Sequence, residues 1–208
     1  MKKTFLFFLI SSIIFISFVI FSYLVHKDLF TQWDFDTTVR LQNHISRKFD
    51  TLFSVFSLLG SAEVSSLFLL LMLFLNRRVR GVFILIVYGF IFLIELFGKI
   101  FVNHPGPPFM FFRYNIHFFF PSSYVQPGSS YPSGHSARTL FISIIVFFIF
   151  SRYKKINQIQ KLIILCFIVL FDTTMLVSRV YLGEHWTTDV IGGGLLGMAL
   201  GFFGVIFV

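Results

Sequence analysis

Residues 82–102 read VFILIVYGFIFLIELFGKIFV, with Glu95 and Lys99 as their only charges. A hydrocarbon core of ~30 Å takes about 20 predominantly apolar residues as one α-helix, so this stretch has the length and chemistry of a membrane span. Five further runs match it wholly or nearly: Phe5 to Val25, Ser54 to Leu75, Gly134 to Phe150, Leu162 to Val180 and Val190 to Val208. The composition agrees, since 56% of the 208 residues are hydrophobic, only 12% are charged and 33 are Phe. An ordinary soluble domain is about 25% charged. One Cys, 14 Gly and 6 Pro exclude a disulfide scaffold, a collagen-like repeat and a disordered chain. The expected fold is an all-α integral membrane protein. It is a bundle of six transmembrane helices forming a single domain over residues 1–208, with an interfacial helix and a long external loop between spans 3 and 4. The first run follows Lys2 and Lys3 as a secretory signal would. It exceeds the usual apolar region of a signal and no A-x-A site follows, so a retained anchor is expected.

Orientation comes from Lys and Arg beside the spans. With the amino terminus in the cytoplasm, the inner flanks hold Lys2, Lys3, Arg77, Arg78, Arg80, Arg152, Lys154, Lys155 and Lys161 and no acid. The outer flanks mix the other basic residues with Asp28, Asp34, Asp36, Asp50, Glu184 and Asp189. Six spans return the carboxyl terminus to the cytoplasm. The net charge of +8 is then a topology signal. A nucleic-acid reader needs a soluble basic face, so no nucleic-acid partner is expected.

Two outer connectors carry further information. From Asp34 to Phe53, Phe35, Val39, Ile45, Phe49, Leu52 and Phe53 recur at roughly helical spacing with basic residues between them, which predicts a helix lying in the interface. From Asn103 to Tyr131, five prolines interleave with Phe109, Phe111, Phe112 and Phe118 to Phe120, which predicts an irregular, membrane-hugging loop that binds or covers a ligand. In the last span Gly193, Gly197 and Gly201 share one face, so a neighbouring helix is expected to pack closely there.

Ionisable groups near hydrocarbon are costly and therefore functional candidates. Lys99 falls at the outer end of span 3, His135 at the outer start of span 4, Arg179 at the outer end of span 5, and His185 with Asp189 at the outer start of span 6. Four helices deliver these groups to one membrane face, although hydropathy and flanking charge alone set the spans.

Two local patterns have a mechanical logic. Pro132-Ser133-Gly134-His135 opens a helix whose positive end suits a phosphate, with Ser133 as its cap and Gly134 leaving the backbone approachable. His185 and Asp189, four residues apart, share a helical face, so the carboxylate can hold one ring nitrogen and leave the other nucleophilic. Arg179 offers a planar fork of donors to an oxyanion. Together these groups describe phosphoryl transfer through a covalent phosphohistidine. His185 attacks phosphorus, His135 protonates the departing oxygen, and Lys99, Arg179, Ser133 and Gly134 stabilise the equatorial oxygens. No Zn-like ligand spacing is present, so neither metal nor other cofactor is expected, and Cys166 reads as a packing residue.

Lys99 before a Pro-rich turn, then Pro132-Ser133-Gly134-His135, then Ser178-Arg179, five residues, His185, three residues and Asp189 resemble the three signatures of the type 2 phosphatidic acid phosphatase superfamily. The resemblance spans Lys99 to Asp189 in motifs and nearly the whole chain in span layout. It implies a nucleophilic His185 supported by Asp189, an acidic His135, and Lys99, Ser133, Gly134 and Arg179 as phosphate binders. The first signature departs from the family pattern of Lys, six residues and Arg-Pro, since Gly106 precedes Pro107 where Arg is expected. His104, Arg113 and Arg138 are candidates to replace that cation. Arg113 leads because the Pro-rich loop can fold it over the site.

Several of these residues also have structural roles open to them. Lys99 can pair with Glu95 one turn away, Asp172 can orient a cation from inside the bundle, and Glu63 has no assigned role. His26 and His44 read as solvated, His117 as interfacial, and Trp33 and Trp186 as interface anchors. The resemblance implies a metal-independent hydrolase of the bacterial plasma membrane, with its active site outside and the bilayer and a lipid phosphate as partners. Undecaprenyl pyrophosphate recycling is the leading substrate expectation, with phosphatidic acid and phosphatidylglycerol phosphate close to it. The rivals are a lipid phosphotransferase and an inactive lipid-binding or transport protein. Oligomeric state is not legible.

Overall fold

The computed structural model describes residues 2–76, 80–116 and 128–208. Arg77, Arg78, His117 and Phe118 to Phe120, each used above, lie outside the described residues. Among the described residues eight α-helices follow in order: α1 Lys2–His26, α2 Thr31–His44, α3 Asp50–Ser57, α4 Ala62–Asn76, α5 Gly81–Phe101, α6 Gly134–Ser151, α7 Gln158–Tyr181 and α8 Thr187–Val205. Among the described residues there is no strand, only an isolated bridge between Pro105 and Ser129. The all-α membrane architecture expected from the sequence is present. Among the described residues five helices are long and apolar enough to cross a membrane, and a sixth span forms if the bent pair Arg47–Gly60 and Ala62–Leu75 is counted as one.

The bundle is apolar outside as well as inside. Phe5, Phe74, Leu75, Phe97 and Phe167 point outward, an arrangement that hydrocarbon tolerates and water does not. Helix α8 forms the axis: 67% of its apolar window is buried, against 11% for α1. Its small residues explain the position. A Cβ on Gly193 would strike the Ser133 carbonyl and one on Gly197 the Ala137 carbonyl, so both positions must be Gly for α6 to lie this close. On the opposite side Ser11 Oγ donates to the Ala199 carbonyl at 2.8 Å, tying α1 to α8. Helix α7 joins α6 through Ser143 Oγ, which donates to Asp172 Oδ1 at 2.6 Å. Asp172 thus fastens two helices where a cation partner was expected. Cys166 is exposed on α7 and does not pack in the core.

Two expectations are corrected. The run Ser54 to Leu75 is not one straight helix, because the chain tightens into a 3₁₀ turn at Leu58–Gly60 and restarts at Ala62 with a 49° bend. Ser61 Oγ accepts the Val64 N–H at 3.2 Å and so caps the new segment. The predicted interfacial helix is also divided, with α2 ending near Ile45 and a 3₁₀ turn, Arg47–Phe49, leading into α3. The buried face of α2 is polar. Asp34 and Thr38 are buried, and Gln42 one turn further donates to the carbonyls of Phe111 at 2.6 Å and Tyr181 at 2.9 Å. Connector carbonyls at the bundle rim need donors, and α2 supplies them while Trp33 and Phe35 stay exposed.

Candidate active site

Helix α6 begins at Gly134 with Ser133 as its N-cap residue, as the sequence predicts, but the Ser133 side chain makes no cap hydrogen bond. Its hydroxyl accepts instead from Ser136 Oγ at 3.1 Å, while the Ser133 N–H donates to the Asp189 carbonyl at 2.9 Å. That backbone bond, with the glycine contacts of α8, fixes the first turn of α8 against the start of α6. It brings the Pro-Ser-Gly-His segment beside the His185–Asp189 pair.

His185 lies in the connector between α7 and α8, its Nδ1 3.5 Å from Asp189 Oδ2, close enough to pair electrostatically but without a hydrogen bond among the described residues. The same oxygen accepts the Trp186 N–H at 2.8 Å, an N-terminal capping interaction that holds the carboxylate in place. His135 occupies the first turn of α6, within electrostatic reach of His185, Arg179, Arg138 and Lys99. The break in span 2 makes room for it, since a Cβ on Gly60 would stand 3.1 Å from the His135 ring. The two imidazoles lie within electrostatic reach of one another.

The cations reach the site already partnered. Lys99 Nζ bonds Glu95 Oε1 at 2.9 Å, and Arg138 Nη1 bonds Glu95 Oε2 at 2.9 Å. The Glu95 carboxylate lies against Gly134, where a Cβ would strike both of its oxygens. Arg179 pairs with Glu184, and its buried Nε has no hydrogen-bond partner among the described residues. A carboxylate thus sits among Lys99, Arg138 and the opening of α6, the place a tetrahedral anion of similar charge would use.

Arg113, which leads the sequence candidates for the missing cation, is directed elsewhere. Its Nη2 donates to the Gln42 carbonyl at 3.0 Å and its Nη1 to that of Ile45 at 3.4 Å, and its guanidinium lies over the Tyr181 ring at 5.1 Å. It closes the end of α2 by donating to carbonyls of its last turn. Arg138, one turn beyond His135, is held between Glu95 and the Gly60 carbonyl, to which its Nε donates at 3.4 Å. Gly106 has space around it, the nearest atom to a Cβ there being Ser130 Cβ at 3.6 Å.

His104 takes neither place. Its Nδ1 lies 2.8 Å from Asp189 Oδ1, on the far side of that carboxylate from His185. Sequence reasoning weighed His104 only as a phosphate cation and gave Glu184 and Asp34 no site role. These pairings join residues far apart in the chain, and no local spacing announces them.

The sequence pattern of the PAP2 superfamily matches residues 80–208. Phosphatidylglycerophosphatase B of Bacillus subtilis (strain 168) is 37% identical over 76 residues, covering 35% of this chain and 36% of that protein. The match spans about a third of the length of that curated relative. The crystal structure of the first transmembrane PAP2 type phosphatidylglycerolphosphate phosphatase from Bacillus subtilis superposes with a TM-score of 0.76 over 93% of each chain, at 20% identity. That of Aquifex aeolicus LpxE superposes with a TM-score of 0.60 over 82% of this chain and 93% of its own, also at 20% identity.

Proposed function

The chain belongs to the PAP2 superfamily, and we propose that within it this protein is a membrane lipid phosphate phosphatase acting through a phosphohistidine. The observation that supports this reading most is the convergence of His135 and the His185–Asp189 pair beside Lys99, Arg138, Arg179 and the open start of α6.

The Nε2 lone pair of neutral His185 attacks phosphorus while the bond to the lipid oxygen breaks, and that oxygen takes its proton from His135. Asp189 orients the ring and stabilises the positive charge that grows on it. Water then attacks the phosphohistidine, His135 accepts its proton, and the P–N bond breaks to release inorganic phosphate and restore His185. Lys99, Arg179, Arg138, the Ser133 hydroxyl and the Gly134 backbone hold the equatorial oxygens. The Glu95 carboxylate shifts aside as phosphate replaces it between Lys99 and Arg138. Side chains supply all of this charge, so the reaction needs no metal.

The substrate is a phosphomonoester or pyrophosphate on a lipid whose tail stays among the helices. The similarity to a phosphatidylglycerophosphatase supports a glycerophospholipid phosphate, and undecaprenyl pyrophosphate is the second substrate to assay. The basic inner flanks favour both termini in the cytoplasm and the site at the outer face.

Phosphate release from a panel of lipid phosphates in detergent, with wild type and His185→Ala, tests the proposal. Release by wild type, lost in the variant, together with a histidine-linked phosphoenzyme trapped by acid quench, is the expected result. Equal inertness of the two proteins across the panel refutes it.

A further inference from the structure

Asp189 is gripped from two sides. Its Oδ2 faces His185 Nδ1 at 3.5 Å, and its Oδ1 lies 2.8 Å from His104 Nδ1. Beyond the second imidazole stands a second carboxylate, with Asp34 Oδ2 3.7 Å from His104 Nε2. Asp34 is anchored in turn by Thr188, whose N–H donates to Oδ1 at 2.8 Å and whose hydroxyl donates to Oδ2 at 2.6 Å. Asp34, His104, Thr188 and Asp189 are each at most 6% exposed. A row of imidazole, carboxylate, imidazole and carboxylate therefore runs from the site into the junction of α8, α2 and the loop after α5.

We propose that His104, backed by Asp34, is a positioning residue for the reaction: it fixes the Asp189 carboxylate toward His185 and, as an imidazolium between two carboxylates, offsets part of the negative charge Asp189 directs at the nucleophile. The proposal rests on the phosphatase reading given above.

The mounting of His104 suits this role. Its carbonyl accepts the Ser130 N–H at 2.9 Å, Pro105 bridges Ser129, and Trp186 Nε1 donates to the Pro105 carbonyl at 2.8 Å. The loop is thus clamped to the segment that precedes α6 and to the residue following His185. Two buried carboxylates facing one another without a cation would be strongly disfavoured, and one imidazolium between them removes most of that penalty. The groups facing His104 are Asp189 from α8, Asp34 from α2, Asp28 from the turn after α1 and the edge of the Tyr131 ring. Burial favours neutral His104, but the bond to Asp189 and the charges of Asp189, Asp34 and Asp28 outweigh it, so its pKa lies above the ordinary histidine value. His185 faces Asp189, Arg179 and Lys99, with Glu95 and His135 also in reach.

Removing the charge on His104 leaves Asp189 uncompensated beside His185, so the pKa of the nucleophile rises. A structural tie between loops would lower stability or activity without moving that ionisation. His104→Gln separates the two effects, because its amide can still donate to Asp189 but carries no charge.

Full-length wild type, His104→Gln and Asp34→Asn in detergent are compared by ring titration of isotope-labelled histidines, with His185 assigned by its absence in His185→Ala, and by the pH profile of hydrolysis of a short-chain phosphatidic acid. The expected result for His104→Gln is a higher His185 midpoint, an acid limb of kcat/KM moved to higher pH, kcat reduced about 10- to 100-fold, as for loss of other outer-shell partners, and KM near wild type. If His104→Gln does not fold, Asp34→Asn carries the test by lowering the midpoint of His104. Midpoints of His185 in His104→Gln, or of His104 in Asp34→Asn, that match wild type overturn the proposal. If wild type releases no phosphate, the phosphatase reading fails and the ring titrations alone decide the role of His104.

Discussion

Arg138 Nη1 lies 2.9 Å from Glu95 Oε2, so a cation in the first turns of α6 is mounted on a carboxylate from α5. The Arg138 side chain is only 6% exposed, whereas that of Lys99, on the other oxygen, is 37% exposed. Removing Glu95 leaves a buried guanidinium without its counter-charge, a loss of about 3–5 kcal/mol, while an exposed partner is worth about 0–1 kcal/mol. Glu95→Ala is therefore expected to lower the thermal midpoint in detergent far more than Lys99→Ala. Equal midpoints would show that the pair carries no structural weight.

Arg138 also bears on the Gly106 vacancy. Loss of one preorganised donor to developing charge typically costs about 10²–10³ in rate, and that fall in kcat/KM is expected of Arg138→Ala. Among the described residues a Cβ at 106 meets nothing closer than 3.6 Å, so the first side-chain atom of Gly106→Arg is accommodated, and the substitution restores the family pattern. Combined with Arg138→Ala, it should recover at least tenfold of the lost kcat/KM. No recovery would show that the two positions do not serve the same phosphate oxygens.

The boundary between what the sequence disclosed and what it concealed follows the range of the interactions. Span count and the His185–Asp189 pair depend on hydropathy over 20 residues or on a spacing of four, both local. The break at Gly60 escapes a hydropathy reading because Ser54 to Leu75 is apolar enough on average to count as one span, although Gly60 and Ser61 stand in it as a breaker and a cap. Which face of α2 is buried was not legible, because only the partner decides which stripe of an amphipathic helix is covered. His104 and Asp189 are 85 residues apart, and Thr188 and Asp34 are 154 apart, so only the folded bundle discloses that row. Arg113 was preferred to Arg138 because a Pro-rich loop can fold either way, and here it folds toward α2.

The pH dependence has a definite sign. Burial, with Arg179 and Lys99 facing it, holds the His185 pKa below the ordinary histidine value against the opposing pull of Asp189. The nucleophile must be neutral, so activity falls as pH drops through that lowered value and the acid limb of kcat/KM lies below about pH 6.5. Lys99→Met removes a positive charge, raises the pKa and moves the limb upward, apart from its effect on KM. A limb unmoved by Lys99→Met would place that cation out of reach of the nucleophile.

Assigning His135 as the acid predicts a dependence on the leaving group. A lipid alkoxide needs a proton as it departs, whereas p-nitrophenolate hardly does. His135→Ala should therefore lose at least tenfold more kcat on a lipid phosphate than on p-nitrophenyl phosphate. Equal losses on the two substrates would remove His135 from the proton transfer.

The closeness of α8 to α6 can be tested with two glycines that differ only in surroundings. A Cβ at Gly197 would strike the Ala137 carbonyl, which is backbone and cannot swing aside, so α8 must retreat and carry Asp189 away from His135. Overpacking of this kind costs about 1–3 kcal/mol, and Gly197→Ala should lower both the thermal midpoint and kcat. Gly89 on α5 has nothing within 4 Å of its Cβ position. There the same substitution reduces backbone entropy in the unfolded chain without a clash, so Gly89→Ala should stabilise by up to about 1 kcal/mol with kcat unchanged. If both variants behave alike in melting and turnover, tight apposition of these two helices is not what sets the geometry of the histidines.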